Sequence, residues 1–144
     1  PASFVDTAKA FDQYLSVVPE AAVAVKSGVA AMHDVTEGGL FGALWEMAEA
    51  SGVGLEIDLK KIPIRQETVE ICEYFDVNPY GLISSGMMLM ASEDGNALVH
   101  ALAEANIPAT VIGKATEGND RVIVRDEERR FLEPPKTDEL YKVL

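Results

Sequence analysis

The order of predicted elements points to an α+β domain with a mixed, largely antiparallel sheet covered by helices. Three observations carry that expectation. Apolar residues recur at helical spacing in several stretches, most clearly over residues 40–51 and 97–105. Short alternating or wholly apolar runs separate these stretches and read as strands. The last strands follow one another without an intervening helix, as hairpin neighbours do. Strict strand–helix alternation would indicate a doubly wound parallel sheet, the second arrangement open to this chain. The 144 residues, 48% apolar and 25% charged, have the length and composition of one domain spanning 1–144.

Residues 4–17 read as a helix through Val5, Ala8, Phe11 and Leu15, which Pro19 stops or restarts. A short helix over 20–26 ends at Gly28, and residues 29–33 form a short buried strand. Thr36-Glu37-Gly38-Gly39 opens the clearest helix, with Leu40, Ala43, Leu44, Met47, Ala48 and Ser51 on one face and Gly52 as its C′ residue. Residues 53–58 alternate as a strand. Pro63 introduces a helix near 65–74, with Val69, Cys72 and Phe75 on its buried side.

After the break at Asn78-Pro79-Tyr80-Gly81, residues 82–91 have the dense apolarity of a strand covered on both faces. Ser92 is a candidate cap for the helix carrying Ala97, Leu98, Ala101, Leu102 and Ala105. Strands over 109–114 and 121–125 are joined by a turn at Glu117-Gly118-Asn119-Asp120. A second turn at 126–129 leads to an edge strand before Pro134-Pro135, and Thr137 begins a last helical turn.

Charge restricts the choice of partner. Twenty-four acidic against 12 basic residues give a formal net charge of -12, which excludes a nucleic-acid groove or an anionic membrane surface as the expected partner. The imbalance lies in residues 1–113, with 16 carboxylates and 5 cations; residues 114–144 hold 8 and 7. An anionic ligand beside the first part needs metal ions, a helix N-terminus or cations from elsewhere. The lone Cys72 cannot form an intrachain disulfide, no apolar run is long enough to span a bilayer, and no signal-peptide pattern is visible, so a cytoplasmic setting is expected. Because the chain begins with Pro1 rather than Met, it is expected to be a piece of a longer polypeptide.

The segment richest in chemistry is His33-Asp34-Val35-Thr36-Glu37-Gly38-Gly39-Leu40, between a strand and a helix N-terminus. Unpaired backbone N–H groups and the positive end of the helix dipole meet there, and paired glycines let an anion or another backbone approach. Asp34 is a candidate Mg²⁺ ligand, Thr36 a cap or phosphate donor, and His33 a proton donor or acceptor. The same residues serve equally well as cap, turn and satisfied strand residue. Leu82-Ile83-Ser84-Ser85-Gly86 is a second candidate: two hydroxyls and a glycine lead into a strand, as at a cleft wall or a simple turn. Lys60, Lys61 and Arg65 form the only basic cluster in the acidic part and read as a solvated loop. His100 reads as exposed, Cys72 as core, Trp45 and Phe41 as packing residues, and Glu46 and Glu49 as a solvated face. No His-x-x-x-His or Cys-x-x-Cys spacing is present.

Residues 32–58, MHDVTEGGLFGALWEMAEASGVGLEID, resemble the C-terminal domain of AIR synthase-related proteins. That superfamily includes AIR synthase, formylglycinamide ribonucleotide amidotransferase, selenophosphate synthetase, thiamine-monophosphate kinase and the hydrogenase expression/formation protein. The hydrogenase maturation type is most similar, through its His-Asp-Pro-Thr-Arg-Gly-Gly-Leu segment; Ile62-Pro63-Ile64, the helix around Cys72 and LISSGMML at 82–89 match in order. The resemblance spans roughly residues 20–125 and implies the C-terminal half of a two-domain ATP-dependent enzyme. An N-terminal domain absent from this chain would then carry most ATP and Mg²⁺ ligands and the homodimer interface. This half would close the cleft, and by itself would be inactive. The chemistry implied is ATP-driven activation of an amide-type oxygen, or phosphoryl transfer, on a small-molecule or maturation-protein substrate. Carried over by position, His33 and Asp34 are catalytic, Asp34 a metal ligand, and Thr36, Gly38, Gly39, Ser84, Ser85 and Gly86 cofactor-binding.

Two departures separate this chain from the hydrogenase factors. Val35 and Glu37 stand where those have proline and arginine, so a carboxylate replaces a cation. Their C-terminal reactive cysteine has no counterpart in Asp138-Glu139-Leu140-Tyr141-Lys142-Val143-Leu144. A non-catalytic acidic interaction module that keeps the fold is therefore the second expectation. A metal site on His33, Asp34 and Glu37 is a third.

Overall fold

A computed structural model describes residues 1–144. Five helices are formed by α1 (Ala2–Lys9), α2 (Val18–Lys26), α3 (Gly39–Ser51), α4 (Gln66–Phe75) and α5 (Gly95–Glu104). Six strands accompany them: β1 (Ala31–Asp34), β2 (Gly54–Asp58), β3 (Met88–Ala91), β4 (Gly113–Thr116), β5 (Arg121–Arg125) and β6 (Glu128–Phe131). The strands form two sheets, an antiparallel pair β1-β3 and a four-stranded sheet in the order β4-β2-β5-β6. Within the larger sheet only β2 and β5 run parallel. The fold is thus α+β and largely antiparallel.

Helix α3 lies between the two sheets, which explains why its apolar residues outnumber those of a one-sided amphipathic helix. Leu40, Ala43, Leu44 and Ala48 are buried with Leu55 and Ile57 of β2 and Ile123 of β5. The period-2 alternation of β2 puts Leu55 and Ile57 toward α3 and leaves Glu56 and Asp58 half-buried. On its other side α3 meets the β1-β3 pair through Leu89. The opposite face of that pair carries Met32 and Met90, packed beneath α2 and α5 with Ala24, Leu98 and Leu102. The layers therefore run α2 and α5, then β1-β3, then α3, then β4-β2-β5-β6.

Several sequence expectations are corrected. The strand expected over 109–114 forms only at Gly113–Thr116 (β4), and it is not a hairpin partner of 121–125, because β2 inserts between them, antiparallel to β4 and parallel to β5. The true hairpin is β5-β6, turning at Asp126 with φ 54°. Residues 82–87 are irregular, and β3 is half-buried rather than covered on both faces. Asp94, not Ser92, caps α5, accepting a hydrogen bond from the Ala97 N–H at 2.9 Å. Residues 10–14 tighten into a 3₁₀ turn, and Pro19 restarts the chain as the second residue of α2. Phe75 is 51% exposed, whereas Cys72 is buried and its thiol pKa is raised by desolvation.

Glu46 and Glu49 are not merely solvated. Glu49 accepts from the Arg121 guanidinium at 2.5 Å, and Arg121 lies 4.4 Å from the centre of the Trp45 ring. That cation is buried between β5 and α3. Arg65 leaves the predicted basic cluster to stack on Phe11 and Tyr14, and Lys60 pairs with Asp126. No helix is long and apolar enough to cross a membrane.

The accessible surface is 9349 Å². A free-standing monomer of this mass exposes about 7,200 Å², so roughly 2,100 Å² is in excess. Part of the excess is apolar, at Leu15, Val18 and Val25 in and before α2.

Candidate functional site

The β1-β3 ladder brings the two candidate segments together. Its register runs from Ala31 opposite Ala91 to Asp34 opposite Met88, and the Val35 N–H extends it to the Met87 carbonyl. One step further the Ser84 N–H donates to the Thr36 carbonyl at 3.1 Å. The turn before α3 and the serine pair before β3 therefore emerge side by side from one end of a two-stranded ribbon. Neither segment predicts the other from local sequence, since Ser84 lies 48 positions after Thr36.

His33 shares the β1 face that looks onto α3, where Glu46 meets it. Its Nε2 lies 2.7 Å from Glu46 Oε2, and its Nδ1 is in contact with the Asp34 carbonyl oxygen. Both partners are acceptors, so the ring is oriented from two sides. A role as base or metal ligand requires one of these bonds to open. Asp34 ends β1 with an exposed carboxylate, and Val35 behind it is only 1% exposed. No three of His, Cys, Asp and Glu converge on one point, so His33, Asp34 and Glu37 do not form a three-ligand centre.

The glycines face protein. Gly38 occupies the N-cap position of α3 with no side-chain cap from its neighbours, so Thr36 is not the cap; its contribution is the carbonyl that accepts from Gly39 and Ser84. A Cβ at Gly39 would lie 2.6 Å from the Leu82 carbonyl oxygen and 2.7 Å from that of Tyr80. Gly39 thus lets the 80–82 segment lie against α3, where Phe41 donates its N–H to Tyr80 and stacks on the Tyr80 ring at 5.3 Å. Gly86 meets the Tyr14 backbone in the same way. Ser84 is half-buried, while Ser85 and Thr36 are exposed at the rim.

Sequence reasoning missed the residue that joins these segments. Asp138 is 6% exposed, and its carboxylate accepts from Gly38 N–H at 2.6 Å, Ile83 N–H at 3.0 Å and Leu140 N–H at 2.8 Å. Beside it Glu139 accepts from Asn78 N–H at 2.8 Å and from Lys142 at 2.7 Å. The only local signal was the Asp-x-Leu start of a short helical turn, which says nothing about a partner 100 positions away.

Burial of Asp138 by itself favours its neutral form. The Leu140, Gly38 and Ile83 N–H groups outweigh that and hold the carboxyl below its ordinary value. A folded pKa below the unfolded one means stability that is fully present above about pH 5 and lost as pH falls through the folded value. In Asp138→Asn the loss of urea resistance between pH 6 and pH 2 is expected to be shallower than in the parent chain. Identical slopes would show that these bonds do not favour the ionised carboxylate in solution.

Comparison with known proteins bears on family and fold. Residues 5–125 match the family model described as AIR synthase related protein, C-terminal domain. A Methanocaldococcus jannaschii protein described as a hydrogenase expression/formation protein is 36% identical over 118 residues, covering 78% of this chain and 35% of that one. The carbamoyl dehydratase HypE of Rhodobacter capsulatus is 33% identical over 97 residues, covering 65% of this chain and 28% of that protein. The crystal structure of E. coli HypE, a hydrogenase maturation protein, superposes on 89% of this chain with a TM-score of 0.76 at 24% identity, covering 42% of that chain. At that identity the likeness concerns the fold. The chain spans about a third of the length of these curated relatives.

Proposed function

Because the chain belongs to the AIR synthase-related family as its C-terminal domain, we propose that it is the cleft-closing half of an ATP-dependent enzyme of the hydrogenase-maturation kind. The reaction is activation of an amide-type oxygen or phosphoryl transfer to an acceptor. The observation that carries this reading is the pairing of the His33–Asp34–Thr36 turn with Ser84 and Ser85 at one end of the β1-β3 ladder. HypE, whose fold this chain shares, has been solved in complex with ATP and in complex with HypF. The excess surface, with Leu15, Val18 and Val25 exposed, suits packing against an ATP-binding N-terminal domain.

The residues present fit the two expected groups unequally. The exposed Asp34 carboxylate is a hard oxygen donor of the kind Mg²⁺ takes. The glycine turn does not fit a bare phosphate. Its Gly38 N–H is held by Asp138, its Gly39 N–H by the Thr36 carbonyl, and Glu37 adds negative charge where a cation would be needed. The triphosphate is therefore held by the other domain. This half contributes an oriented imidazole at His33, a carboxylate at Asp34 and hydroxyls at Thr36, Ser84 and Ser85. Such a share is one of positioning and charge placement.

The test is to sequence the reading frame upstream of the Pro1 codon, express the two halves separately and together, and measure ATP turnover. Turnover is expected only with both halves, and Asp34→Asn should lower it at least tenfold. ATP hydrolysis by this chain alone at about 1 s⁻¹ or faster would overturn the division of labour. The acid-rich turn favours one second reading, an interaction module without catalysis. Under that reading the joined halves stay inactive, and Glu37→Arg raises their nucleotide affinity.

A further inference from the structure

The strap that follows β6 runs back over the site. Leu132 is buried in the main core and donates its N–H to the Arg121 carbonyl at 2.7 Å, which anchors one end. Glu139 anchors the other, through Asn78, Lys142 and the bond from its own N–H to the Gly81 carbonyl. Between them Pro135 passes 4.0 Å from where a Gly38 Cβ would stand. The family match ends at residue 125, so the whole strap lies outside it.

Within the strap, Asp138 bridges the two walls of the site. One carboxylate oxygen accepts from Gly38 at the start of α3; the other accepts from Ile83, directly before the serine pair. The two oxygens of a carboxylate are rigidly spaced, so the two main-chain segments they hold are tied at one separation. We propose that Asp138 is a positioning residue of this site, clamping the glycine turn to the serine pair so that Thr36 and Ser85 are presented at a fixed distance. The proposal rests on reading those segments as two walls of one cleft.

Asp138→Asn isolates the clamp with little change of shape. An amide offers one acceptor oxygen, so its NH₂ must face either the Gly38 or the Ile83 N–H, donor against donor. Glu139→Gln serves as the control: it loosens the same strap at Asn78 and Lys142 and leaves both clamp bonds in place. Amide hydrogen exchange on this chain should show at least one of Gly38 and Ile83 exchanging at least tenfold faster in Asp138→Asn, and both unchanged in Glu139→Gln. In the two-domain protein, Asp138→Asn should lower kcat at least tenfold while the Kd for Mg·ATP, set by the other domain, stays within twofold.

Unchanged exchange at Gly38 and Ile83, equal acceleration by both variants, or an unchanged kcat would each overturn the clamp. An inactive parent protein would count against the ATP-dependent reading instead. The exchange pattern then decides the clamp without it.

Discussion

Gly39→Ala is expected to destabilise the chain by about 2–4 kcal/mol, combining about 1 kcal/mol for an L-residue at positive φ with about 1–3 kcal/mol for overpacking. Gly39 has φ 64°, and the added methyl would meet the Leu82 and Tyr80 carbonyl oxygens at 2.6 and 2.7 Å and the Leu82 nitrogen at 2.9 Å. These are main-chain atoms, which cannot swing aside as a side-chain tip can. Relief would require the 80–82 segment to back away from α3, costing the Phe41–Tyr80 stack and the hydrogen bond beneath it. Gly52→Ala is the internal standard. Its φ is also 64°, but nothing lies within 4 Å of where its methyl would stand, so only the conformational part, about 1 kcal/mol, is expected there. Urea denaturation of both variants checks this. Losses equal to within about 0.5 kcal/mol, the usual resolution of such comparisons, would mean that the close approach at Gly39 is absent.

Removing Glu49 should have the second large effect. The Arg121 side chain is 8% exposed, its Nε has no partner, and its charge is met only by Glu49 and the face of Trp45. Glu49→Ala leaves that cation buried with the ring alone. Breaking a fully buried pair costs about 3–5 kcal/mol. Because the Glu49 side chain is 57% exposed, water can partly replace it, and about 2–3 kcal/mol is expected. Arg121→Met removes the charge together with its need for a partner and should cost less than Glu49→Ala. In the Arg121→Met background, Glu49→Ala should become nearly neutral. A double-mutant cycle measures this directly, and a coupling below about 0.5 kcal/mol would show that the pair is not formed in solution.

The two segments of the candidate site were legible in sequence because each is local. The run from His33 to Leu40 signals a strand-to-helix junction through its glycines and the apolar period that follows, and both are properties of a few consecutive residues. The Ser84-Ser85-Gly86 segment was visible for the same reason. A resemblance in several spaced segments then named the family, which the match over residues 5–125 bears out.

What stayed hidden depends on pairing across long sequence distances. That β2 inserts between β4 and β5 follows from which strands can bury Leu55, Ile57 and Ile123 against α3 together, and no short-range pattern records that choice. Glu46 and Glu49 looked like surface residues because helical periodicity marks only apolar faces. Their partners His33 and Arg121 come from strands on opposite sides of α3. Asp138 was the largest omission. A carboxylate near a chain end reads as solvated until the fold delivers three main-chain N–H groups to it. Residue chemistry and spacing marked most of the elements and the two candidate segments, and the resemblance named the family; only tertiary packing could say what joins those segments, because a hydrogen bond depends on distance in space and not along the chain.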